Sequence, residues 1–216
     1  MVMTQKQLLV ALLGILVAAA VGTGFWLWQG SRQAQWKERP LEGLQVYGRV
    51  PAFSLIERSG RPLTQADLNG KIWIANFIYT NCPDTCPVQT AQMKELQTEF
   101  MSEKDLRLVS ITVDPKRDTV GVLSEYADRF GADPERWLFL TGEREAIYRL
   151  AQAGFHLAAA EIPYEKKDPS GATHTHSPRF VLVSRNSEIR GYYPSTDAEA
   201  MARLRRDLRT VLQNER

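Results

Sequence analysis

In Ile72-Trp73-Ile74-Ala75-Asn76-Phe77-Ile78-Tyr79-Thr80-Asn81-Cys82-Pro83-Asp84-Thr85-Cys86-Pro87, a largely apolar run leads straight into two cysteines four residues apart. The run from Ile72 to Tyr79 has no polar alternation, so it reads as a central strand covered by helices on both faces. Beyond Pro87 the spacing of Met93, Leu96 and Phe100 is helical. Leu106 to Val113 follows as a second buried strand. A strand, helix and strand of this length form a βαβ unit, which makes the two strands parallel. Parallel strands share a C-terminal edge, and open α/β sheets bind ligands there. The first strand ends in the cysteine loop and the second in Asp114-Pro115. Cys82, Cys86 and Asp114 are therefore predicted on one rim.

Working outward, Val50 to Ile56 reads as a short strand ending at the Ser59-Gly60 turn. Leu123, Tyr126 and Phe130 mark one face of a further helix, and Trp137 to Leu140 a short strand. Thr141 is placed to cap the helix carrying Ile147 and Leu150. Phe155 to Thr175 has no clear period and reads as a long surface loop. Arg179–Ser184 and Glu188–Tyr193 read as a hairpin around Asn186-Ser187. Thr196 and Glu199 form a capping box for a last helix, whose apolar face is Met201, Leu204, Leu208 and Val211. This order predicts a thioredoxin-like α/β sandwich with a mixed central sheet. An antiparallel first hairpin strand would start at the cysteine rim, with His174 and His176 just before it.

Leu8 to Trp28 carries no charge across 21 positions, roughly 31 Å of helix, about one bilayer core. Phe25-Trp26-Leu27-Trp28 continues the apolar run past the small residues Ala18-Ala19-Ala20 and supplies an aromatic belt. That favours an uncleaved transmembrane helix over a cleaved signal peptide. Residues 1–28 are read as the membrane anchor (the helix at 8–28), 29–49 as a polar linker, and 50–216 as one domain. Lys6 precedes the helix while Arg32, Lys37 and Arg39 follow it. Charge counting alone would thus leave the domain in the cytoplasm. The net charge of +2 is small and evenly spread. No Lys/Arg block is present, which excludes nucleic acid as a partner class.

Cys82 and Cys86 are the chain's only cysteines. Two thiols that close can form a reversible disulfide, bind a soft metal, or do both. A cysteine at a helix start is expected to favour the thiolate, since the dipole and free amides stabilise the anion. A metal needs a third group. Two thiolates and one imidazole suit Cu(I), whereas structural zinc would normally take a fourth ligand, which His156 or His174 could supply. His176 is the first histidine candidate and His174 the second. His156, beside Phe155, is expected to pack.

Three segments together resemble the Sco/SenC family. They are Phe77–Pro87 with its CPDTC core, Ile111-Thr112-Val113-Asp114-Pro115-Lys116-Arg117-Asp118-Thr119, and His176-Ser177-Pro178-Arg179-Phe180-Val181-Leu182-Val183. The resemblance spans about residues 44 to 213. It implies a thioredoxin-like domain that binds copper, Cu(I) with Cu(II) left open, through Cys82, Cys86 and His176. It further implies a copper chaperone for cytochrome c oxidase, acting on that enzyme's copper-bearing subunit or another copper-assembly protein. A thiol–disulfide oxidoreductase using Cys82 and Cys86 as a redox pair is the alternative. An inner-membrane protein facing the bacterial periplasm is also implied. Asp114 is given a supporting role at most. Thr85 stands where valine is common, and His174-Thr175 where many members have valine-aspartate.

Overall fold

The computed structural model describes Lys6 and residues 44–83, 85–163 and 171–215. One compact unit, from Gly43 onward, holds the sheet and the helices around it. The predicted transmembrane helix at 8–28 and most of the linker lie outside the described residues. Among those residues no helix is long and apolar enough to cross a membrane.

The strands are β1 (Gly48–Arg49), β2 (Ser54–Glu57), β3 (Pro62–Thr64), β4 (Ile72–Ile78), β5 (Leu106–Thr112), β6 (Trp137–Thr141), β7 (Ala159–Glu161), β8 (His174–His176), β9 (Arg179–Val183) and β10 (Glu188–Pro194). The helices are α1 (Thr85–Glu99), α2 (Val120–Arg129), α3 (Arg144–Arg149), which runs into a π turn at Leu150–Gly154, and α4 (Ala198–Asn214). Eight strands form one mixed sheet in the order β1-β10-β9-β4-β5-β6-β2-β3, and β7 and β8 pair separately.

Every residue of β4 is buried, as a strand covered on both faces requires. It pairs in parallel with β5 from Ile72↔Leu106 to Ile78↔Thr112. The chain therefore leaves both strands at the same level. On the other side β9 runs antiparallel, with Ala75 opposite Val181 and Trp73 opposite Val183. Its first residue is thereby carried to the rim where β4 ends. Asn76, the one polar residue of β4, accepts from Ser110 Oγ at 2.8 Å, and Trp137 Nε1 donates to the same oxygen at 3.0 Å. This buried polar chain ties the three parallel strands together side by side.

Four local expectations are corrected. Residues 44–49, assigned to the linker, run along β10, with the Tyr47 amide donating to Ile189 O at 2.9 Å and Gly48 opposite Ile189. A two-residue strand is too short to show a period. The loop expected over 155–175 contains β7 and β8, paired from Ala159↔His176 to Glu161↔His174. Thr141 ends β6, and Glu143 occupies the N-cap of α3 without a side-chain bond. In α4 the cap is Asp197, whose carboxylate accepts from the amides of Glu199 and Ala200, rather than Thr196. The apolar face of α4 is buried as read, with Ala200 and Leu212 added.

Phe155 is buried among the large core residues, edge-on to Trp73 at 5.8 Å and to Phe77 at 5.6 Å. His156, expected to pack, is instead exposed, with φ of 52°. Phe155→Ala should lower the unfolding free energy by about 3–5 kcal/mol, a large part of a domain's usual total. His156→Asn, at an exposed site whose left-handed backbone Asn tolerates, should change it by less than about 0.5 kcal/mol. Denaturant unfolding of both variants with unchanged m checks the contrast.

Candidate metal centre

The loop leaving β4 folds back on itself, the Cys82 amide donating to Tyr79 O at 3.2 Å. The chain then enters α1, where Cys86 sits in the first turn on the buried face with Gln89, Thr90, Met93 and Leu96. Asp118 fixes the start of this loop. It is 1% exposed, and it accepts from the Thr80 amide at 3.0 Å, from Thr80 Oγ1 at 2.5 Å and from Thr112 Oγ1 at 2.5 Å. One carboxylate thereby joins the ends of two parallel strands. Burial raises its pKa above the usual carboxylate value, and the three hydrogen bonds oppose that shift.

His176 arrives from β8. Its Nε2 lies 3.0 Å from Cys86 Sγ. One donor atom each from Cys82, Cys86 and His176 lie within 4.8 Å of one another, and no fourth Cys, His, Asp or Glu joins them among the described residues. Cys82 is half-buried and Cys86 fully buried, with no disulfide between them. Nδ1 of His176 is buried and has no hydrogen-bond partner among the described residues. The Tyr79 ring stands edge-to-face against His176, centroids 5.8 Å apart.

The surroundings of Cys86 work against the expected thiolate. A hydrogen bond with Cys82, then burial, push the Cys86 thiol well up, against the favourable first turn of the helix. A cation among the three donors would displace the thiol protons, since a ligating sulfur must be deprotonated. Two sulfurs and one imidazole are a soft set, three in number, short of the four ligands of structural zinc.

The structure separates the other candidates from this group. His174 is 8% exposed, where the sequence led to no expectation of burial. Its Nδ1 faces Thr173 Oγ1 at 3.0 Å and Asp114 Oδ2 at 3.8 Å. Burial lowers its pKa, and the Asp114 charge pulls the other way. Asp114 is thus on the predicted rim but supports His174 and the turn to Arg117, not the trio. Both residues line a cavity of about 430 Å³ with Lys116, Arg117 and Glu161. His156 lies near Gly48, on the edge strand. Sequence reasoning missed Asp118 and Tyr79 as parts of the centre. The signal for Asp118 was its place just beyond the end of the strand beside Thr80, visible only once the parallel register is known.

Fold and site define a thioredoxin-like domain with a dithiol–imidazole centre at the C-terminal rim of its parallel strands. Residues 45–213 match the SCO1/SenC family, and the chain belongs to it. Over 187 residues it is 34% identical to the mitochondrial SCO2 homologue of Mus musculus, covering 83% of this chain and 71% of that one. The solved structure of ScoI from Bradyrhizobium japonicum with copper bound is similar at 25% identity and a TM-score of 0.61, covering 74% and 99% of the two chains. BsSco, described as a member of the Sco family of cytochrome c oxidase assembly proteins with a disulfide switch, is similar at 26% identity and 0.64, covering 80% and 96%.

Asp118→Ala leaves the Thr80 amide and two hydroxyls without their acceptor. It should cost about 3 kcal/mol of stability, read by denaturant unfolding. Asp118→Asn, which keeps one acceptor oxygen, should cost less. Equal losses for the two would show that the hydrogen bonds do not matter.

Proposed function

We propose that this chain is a copper chaperone that binds one copper ion, as Cu(I), through Cys82, Cys86 and His176, and hands it on during cytochrome c oxidase assembly. The observation that carries this is the convergence of two sulfurs and one imidazole within 4.8 Å, with no fourth ligand among the described residues. Cu(I) is stable in such soft, low-coordinate surroundings. The likeness to copper-bound ScoI and to BsSco supports the same reading. The recipient is the oxidase's copper-bearing subunit or another copper-assembly protein.

The copper is cargo, and its transfer is ligand exchange: an incoming donor takes the place of one ligand at a time, with no change in oxidation state. Oxidation of Cys82 and Cys86 to a disulfide removes both thiolates and so ends Cu(I) binding. A buried Cys86 and a histidine whose Nε2 lies 3.0 Å from its sulfur favour metal binding over a general thiol–disulfide oxidoreductase. Residues 8–28 serve in this reading as the anchor in a bacterial cytoplasmic membrane, with the domain from about residue 50 onward on the periplasmic side.

Titrated against a competing Cu(I) chelator, the reduced domain should take up one copper per chain. Cys82→Ala, Cys86→Ala and His176→Ala should each weaken binding by roughly 100-fold or more, beyond the loss typical of a supporting residue. His174→Ala, whose ring faces Asp114 instead, should weaken it by less than about tenfold. Stoichiometric zinc with no competitive copper uptake would overturn the reading, as would tight Cu(I) binding by the oxidised protein.

A reporter enzyme fused after Arg216, active only outside the cytoplasm, should be active in intact bacterial cells. Activity from a cytoplasm-only reporter at the same position would place the domain on the other side.

A further inference from the structure

Tyr79 is 1% exposed, and several parts of the metal centre meet on it. Its ring lies edge-to-face against His176, with an interplanar angle of 89°, and tilted against His174 at 5.4 Å. Its carbonyl accepts the Cys82 amide. Its hydroxyl oxygen accepts the Thr173 amide, and its hydroxyl hydrogen bonds with the Cys82 side chain. A phenol that already accepts from an amide has its O–H left to donate, and the group it meets is sulfur.

We propose that Tyr79 is a positioning residue of this centre: its hydroxyl donates to the Cys82 sulfur and favours the reduced dithiol, while its ring is the wall that sets His176. The part concerning His176 rests on the copper reading, and the part concerning the sulfur does not. A thiol or thiolate sulfur carries more acceptor charge than a disulfide sulfur, so the donated bond stabilises the reduced pair more than the oxidised one. In the reaction concerned the Cys82–Cys86 S–S bond breaks, taking two electrons and two protons. A dithiol reductant supplies both and closes its own disulfide.

Tyr79→Phe removes the hydroxyl and keeps the ring. Equilibrated in dithiothreitol redox buffers and read by thiol alkylation, it should show a reduction equilibrium constant about three- to tenfold below wild type. That is a midpoint roughly 15–30 mV more negative. Its Cu(I) affinity against a competing chelator should change by less than about threefold. Tyr79→Leu removes the wall as well, and its Cu(I) affinity should fall by more than about tenfold. Tyr193→Phe loses another buried hydroxyl, which donates to Asp207 at 2.8 Å, and serves as the control: stability falls while both readouts stay at wild type. A Tyr79→Phe midpoint equal to wild type overturns the role of the hydroxyl. A Tyr79→Leu protein that binds Cu(I) like wild type overturns the role of the ring. If wild type itself takes up no Cu(I), the copper reading fails, and the midpoints still decide the hydroxyl.

Discussion

The parallel pairing of β4 with β5 is the constraint on which the centre depends. Seven residue pairs in register, ending at Ile78↔Thr112, deliver the cysteine loop and the Asp114 loop to one height. Asp118 then locks that height by binding Thr80 and Thr112 together. A slip of one residue would turn every β4 side chain to the other face and break the clamp. The cost of burying a carboxylate is offset only because three donors meet it. Cys82, two residues beyond Thr80, inherits its position from that arrangement.

A tension at the dithiol follows from the same burial. Cys86 stands in the first turn of α1, where helix geometry favours an anion, yet the hydrogen bond with Cys82 and burial push its pKa up. The ordering costs of the site fall unevenly on the three donors. Cys86 is fixed by a helix and Cys82 by a tight turn, while His176 is held by Tyr79 and a short ladder.

The sequence was most readable where patterns were long. The β4–α1–β5 unit, the β9–β10 hairpin and the buried face of α4 all follow from runs of apolar residues or a clear period. The placement of Cys82, Cys86 and His176 on one rim followed from topology, because parallel strands share an end. Short or non-local features escaped. β1 and the β7–β8 pair are two and three residues long and leave no period to detect. The burial of His174 depends on Tyr79 and Asp114, distant in sequence and joined only by the fold. The thiolate expectation is opposed because helix position is visible in a sequence, whereas burial and a hydrogen bond with a second cysteine are not. Thr196 and Asp197 are both good caps side by side, and chain geometry chose between them.

The separate β7–β8 ladder has a further consequence. Ala159–Glu161 and His174–His176 pair only with each other, outside the eight-stranded sheet. Three residue pairs are a small cooperative unit, and such units open at far lower free energy than a protein's global unfolding. The donors of the centre therefore belong to two units of unequal stability, the sulfurs to the rigid one and the imidazole to the weaker. An ion held by all three acts as a staple between them and should slow amide exchange along the ladder. Withdrawing His176 would leave the sulfurs in place and one coordination position open, at the expense of a few hydrogen bonds and none of the eight-stranded sheet.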